Sequence, residues 1–82
     1  MNRKSLKVKL DLLGVKRTQY CVDGGLNFDC IILFSNYNMW EVFYLDERGG
    51  RNDEKCFTTE NEACEYVYRI FKDAKEIESK FM

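Results

Sequence analysis

An α+β fold in one small domain is what this chain predicts, with element order α-β-β-β-α, an antiparallel meander, and both helices on one face of it. Three observations lead there. Residues 30–45 hold two apolar runs rich in β-branched and aromatic residues, separated by Ser35-Asn36-Tyr37-Asn38, which is a hairpin signal. Residues 59–81 carry a capping signal followed by one apolar stripe at helical spacing. A hairpin this apolar does not stay folded alone in water, so flanking segments have to cover it.

At 82 residues without proline and with only five glycines, no flexible linker divides the chain, and residues 1–82 form one domain. The first element spans Leu6, Leu10 and Leu13, at i, i+4 and i+7, with Ser5 as the expected N-cap and Gly14 as the stop. Leu6, Val8, Leu10 and Leu12 also alternate as a strand would. Helix is preferred, because leucine favours it and Gly14 ends it well.

Residues 19–22 read as a short strand and Asp23-Gly24-Gly25 as a tight turn. In the second hairpin strand, Trp40, Val42 and Tyr44 point to one face, and Glu41, Phe43 and Leu45 to the other. Both faces are largely apolar, so one is left for an interface or for flanking side chains. Gly49-Gly50 closes the strand. Residues 51–55, all polar, read as a loop, with an extended segment at 56–58. The last helix then starts at Thr59, paired with Glu62 in a capping box. Its stripe of Ala63, Val67, Ile70, Ala74, Ile77 and Phe81 is expected to face the core.

The net charge of −1 conceals an uneven distribution. Residues 1–17 carry six basic groups against one acidic group, a balance of +5. Residues 41–65 carry eight acidic groups against three basic ones, a balance of −5. An acidic segment after an aromatic hairpin repels nucleic acid and attracts a basic partner. With no apolar signal core and no membrane-length run, the protein is expected in the cytoplasm, with no membrane partner. There Cys21, Cys30, Cys56 and Cys64 stay thiols, and they read as small buried side chains. Their spacing and the lack of histidine argue against a zinc site and exclude a histidine-based nucleophile pair. The carboxylates of residues 46–54 lie in a charged turn rather than an apolar pocket, so no acid–base pair is expected. No cofactor is implied.

The element order is shared with double-stranded-RNA-binding domains, whose last helix opens with phosphate-gripping lysines. Here it opens Thr59-Glu60-Asn61-Glu62, which makes direct nucleic-acid binding a minor alternative. A second alternative is a homo-oligomeric regulatory or structural module that pairs the uncovered sheet face with its own copy, as a homodimer.

Trp40-Glu41-Val42-Phe43-Tyr44, then Glu47-Arg48-Gly49, then Phe57-Thr58-Thr59-Glu60-x-Glu62-Ala63-Cys64-x-Tyr66 together resemble a group of small bacterial immunity proteins. These are the antitoxins of polymorphic toxin and contact-dependent growth inhibition systems. The resemblance extends upstream to residues 12–15, Tyr20 and residues 23–25, and so covers most of the chain. It implies a non-enzymatic protein that binds and blocks a cognate toxin, a basic nuclease domain such as an EndoU-type ribonuclease. In that expectation Asp46, Glu47, Asp53, Glu54, Glu60 and Glu62 stand in for RNA phosphates. Tyr37, Trp40 and Tyr44 are the anchors, and Arg48 belongs to the same surface, with direct toxin contact or turn scaffolding both open for Glu47-Arg48-Gly49.

Overall fold

A computed structural model describes residues 1–80, with side chains up to Ile77. The α+β class holds. The chain runs α1 (Arg3–Leu12), a 3-10 turn (Arg17–Gln19), β1 (Tyr20–Cys21), β2 (Cys30–Asn36), β3 (Met39–Leu45), β4 (Arg51–Phe57) and α2 (Glu60–Lys80). The strands form one sheet in the order β1-β2-β3-β4.

α1 is capped at both ends by side-chain and backbone chemistry. Asn2, not Ser5, is the N-cap: its side chain accepts from the Ser5 amide at 2.8 Å. At the other end Gly14 takes φ +82°, and the amides of Gly14 and Val15 bond back to Asp11 and Leu10. That pair of bonds is a Schellman motif, which satisfies carbonyls the helix would otherwise leave open. Leu6 and Leu10 are fully buried against α2 and the sheet.

β2 and β3 pair along their whole length, from Cys30–Leu45 to Asn36–Met39. The alternation of side chains divides this hairpin between two cores. Leu33 and Val42 join Leu6, Leu10, Tyr20, Ala63 and Val67 beneath the helices. Ile32, Phe43, Cys30 and Leu45 form a second cluster on the opposite face, to which neither helix contributes among the described residues. The molecule measures 42 × 31 × 18 Å, the thickness of one helix layer on one sheet.

Three features depart from the sequence reading. The sheet is mixed: β1 pairs parallel to β2, and only β2-β3-β4 is an antiparallel meander. Side-chain alternation specifies which face a strand presents but not its direction, so β1 satisfies the pattern either way. Residues 51–55, expected as a loop, belong to a full strand. β4 lies at the sheet edge with Arg51 to Cys56 all exposed, so it has no buried face to produce an apolar alternation. Its Arg51 guanidinium lies 4.4 Å from the Phe43 ring and forms ion pairs with Glu41 and Glu54 at 3.9 and 3.8 Å, covering apolar surface with a charged side chain.

The third departure concerns α2. Ala63 and Val67 are buried and Ile70 half-buried, but Ala74 and Ile77 are exposed; Phe81 lies outside the described residues. A 21-residue helix is about 31 Å long, whereas seven-residue strands span about 23 Å, so the stripe outruns the sheet beneath it. Cys64 and Phe71 fill the core beside the stripe instead.

Replacing Leu6 with alanine is expected to cost about 2–5 kcal/mol, whereas Ile77→Ser changes stability by less than about 0.5 kcal/mol. Urea unfolding of the two variants decides the point. A loss at Ile77 comparable to that at Leu6 would mean the overhang is packed.

Candidate protein-binding surface

The two-residue turn between β2 and β3 consists of Tyr37 and Asn38, since Asn36 and Met39 still pair. Tyr37 adopts φ +56°, a left-handed conformation that glycine or asparagine adopts readily and a bulky residue does not. Its ring is 98% exposed, so no packing offsets that cost. Met39 beside it is also exposed. The hairpin tip therefore holds an uncovered aromatic and thioether at a backbone position under strain.

Trp40, the next predicted anchor, behaves differently. It lies on the helix-covered face, half-buried against the main core, with the Arg3 guanidinium 5.4 Å from its ring. Arg3 in turn pairs with Glu60 at 3.9 Å. Trp40 and Glu60 thus tie α1, β3 and α2 together, and the tryptophan is a core element more than a free anchor. Glu62 is exposed, and its amide donates to the Thr59 hydroxyl at 3.1 Å, completing the cap that the sequence suggests. Tyr37, Trp40, Glu60 and Glu62 share this end of the sheet.

The other predicted residues do not join them. Tyr44 is four residues along β3 from Trp40, about 13 Å away. Its hydroxyl donates to Asp29 at 3.1 Å, and that bond to a carboxylate raises the phenol's pKa. Asp46 accepts from the Arg48 and Gly50 amides at 2.9 and 2.8 Å and from the Asn52 side chain at 3.0 Å. Led by the Asn52 bond, these contacts hold its carboxyl below the ordinary aspartate range. A side chain at Gly50 would sit 2.8 Å from the Asp46 carboxylate and would have to displace it from these bonds. Glu47 and Arg48 are exposed on this turn. For residues 46–50 the geometry is that of a scaffold, with Asp46 as its centre.

Asp53 and Glu54 occupy the middle of the β4 edge. The pairing register slips between Val42 and Tyr44, and Asp53 sits in that bulge at φ +54°. A charged, bulged edge resists pairing with another copy of itself. The ten predicted residues therefore divide into a hairpin-tip group, a far-turn group and an edge pair.

Among the exposed apolar residues outside the sequence prediction, two stand together on one loop. Leu26 and Phe28, 55% and 62% exposed, stand on the connection between β1 and β2, and Phe28 lies against Gly49 of the far turn. Large apolar residues inside a Gly/Asn/Asp-rich segment without periodicity were the available signal. A groove of about 260 Å³ beside β1 is lined by Lys7, Arg17, Tyr20 and Asp23 among others. Its cations are already matched, Lys7 to Asp23 and Arg17 to Asp11. The Tyr20 hydroxyl is buried without a hydrogen-bond partner among the described residues, and burial raises its pKa.

Cys64 is buried, and desolvation pushes its thiol up to about 11, whereas Cys56 is exposed on β4, contrary to the expectation that all four cysteines are buried. Among the described residues no helix is long and apolar enough to cross a membrane. No known protein family, curated protein or solved structure matches the chain.

Because Asp46 is held below the ordinary range in the folded state, the stability it contributes is present above the unfolded aspartate pKa of about 3.9 and fades as pH falls through the folded value. Carbon-detected NMR titration is expected to place the Asp46 midpoint below the ordinary aspartate value of about 3.9. A midpoint at the ordinary value would mean the turn is not built on this carboxylate.

Proposed function

We propose that this chain is a cytoplasmic immunity protein of the kind its sequence resembles, one that performs no reaction and neutralises a basic toxin domain by occupying it. The observation that carries the reading is Tyr37: a ring 98% exposed, kept at φ +56° where glycine would be easier. The two-residue turn needs a positive φ here, but glycine or asparagine supplies it with less strain, and residues kept under strain cluster at ligand clamps and switch regions. Tyrosine is also among the residues that dominate binding energy when a partner's pocket desolvates them.

The acidic groups supply long-range attraction more than anchoring. Asp46 is engaged in its turn, Glu60 with Arg3, and Glu54 with Arg51. Glu47, Asp53 and Glu62 are exposed and carry no ion pair within the described structure. Their field accelerates encounter with a basic cleft and weakens with salt, while Tyr37 sets the lifetime of the complex.

The test uses the toxin domain encoded beside this chain's gene. Tyr37→Gly is expected to leave the unfolding midpoint unchanged or higher, since it relieves roughly 1 kcal/mol of backbone strain. The same change should weaken toxin binding by about 30-fold or more, the scale of a 2 kcal/mol hot spot. Asp53→Lys with Glu54→Lys should slow association at low salt and have little effect at high salt. If the chain neither binds that domain nor protects cells expressing it, the reading fails.

A further inference from the structure

β1 and β2 run parallel with Cys21 opposite Ile32, so Cys30, two residues earlier on β2, lies on the same face as Cys21. Both thiols belong to the cluster on the helix-free face, Cys30 buried and Cys21 half-exposed at its rim. Between them in sequence runs the connection 22–29, exposed from Asp23 onward, which carries Leu26 and Phe28. Two contacts tie this connection to the two sulfurs, and a third ties Cys30 to the 3-10 turn. The Asn27 side chain donates to the Cys21 sulfur at 3.1 Å. The Cys30 thiol is placed to donate to the carbonyls of Phe28 at 3.4 Å and of Thr18 at 3.0 Å.

We propose that Cys21 and Cys30 form a reversible disulfide that clasps the two ends of the 22–29 connection. The oxidant is a low-molecular-weight disulfide such as oxidised glutathione. The deprotonated Cys21 sulfur attacks it, forming a mixed disulfide and releasing one glutathione thiolate. Cys30 then loses its proton to solvent and attacks the Cys21 sulfur, displacing the second glutathione. Two protein thiols are oxidised and one glutathione disulfide is reduced to two thiols, so electrons balance. Cys21 reacts first because it is the accessible member. Cys30 is the resolving thiol, with its proton held by burial and by the neighbouring Cys21 sulfur.

The bridge alters the fold locally. Two residues of strand offset and one strand spacing put the two Cα atoms about 8 Å apart, beyond the roughly 7 Å a disulfide spans without backbone movement. β1 has only two residues and a free edge, so it is the element that yields. Oxidation therefore draws β1 toward Cys30, breaks the Asn27 and Phe28 contacts, and shifts the loop that bears Phe28. The stretched geometry makes the bond easy to reduce, as a reversible clasp requires.

The test uses the full chain carrying Cys56→Ser, which removes the exposed thiol on β4. After incubation with oxidised glutathione, two of the three remaining thiols should disappear, and the intact mass should fall by two hydrogens. Peptide mapping should find Cys21 linked to Cys30, with Cys64 still reduced. Amide signals of residues 22–29 should move, and dithiothreitol should restore them. In Cys30→Ala the reaction should stop at a glutathione adduct on Cys21, and in Cys21→Ser Cys30 should stay reduced. A Cys21 adduct that never resolves while Cys30 is present, or no reaction at all, overturns the proposal. These readouts need no toxin, so they stand or fall apart from the binding role.

Discussion

The β2–β3 hairpin is the constraint on which the rest depends. Its pairs alternate between Leu33–Val42 on one face and Ile32–Phe43 on the other, and all four side chains are buried. Two helices suffice for the first face only. The second is closed by cysteines, by Phe34 and Leu45, and by the Arg51 side chain lying over Phe43. A chain of this size has little apolar material to spare, so charged stems and thiols complete the second core. The position of β4 follows from the same need: it extends the sheet and delivers Arg51 to Phe43.

The elements legible in the sequence were those whose local chemistry and burial agree. α1 combines a leucine stripe with a glycine stop, the hairpin has alternation on both strands, and the start of α2 has Thr59 and Glu62 in place. What sequence could not show depends on distant partners. The first five residues of β4, Arg51, Asn52, Asp53, Glu54 and Lys55, carry no strand signal; pairing with β3 makes them one strand with Cys56 and Phe57. The direction of β1 is likewise invisible to a pattern of period two. Ala74 and Ile77 continue the α2 stripe faithfully, yet whether they are covered depends on how far the sheet reaches.

The candidate surface was legible in part. Tyr37 was identified as an aromatic in an Asn-rich turn, and the structure adds the strain and complete exposure that separate it from Trp40. Trp40 belongs with Arg3 and Glu60 as a tie between layers, because strand alternation put it under the helices. Acidic residues are equivalent in a count along the chain, but Asp46 organises a turn while Glu47 beside it has no ion pair among the described residues. Composition reports charge; only geometry reports which charges are already spent on the fold. Phe28 is not legible in the sequence, because loop residues carry no periodicity to make an exposed ring stand out.

Native-state hydrogen exchange on the free chain tests most directly whether the doubly buried hairpin holds the molecule together. The account predicts that amides of β2 and β3, around residues 31–34 and 42–45, exchange slowest and only through global unfolding, with residues 23–29 and 46–50 exchanging early. If α2 outlasted the hairpin, or residues 23–29 were protected to the same level as β2, the hairpin would not be the organising element.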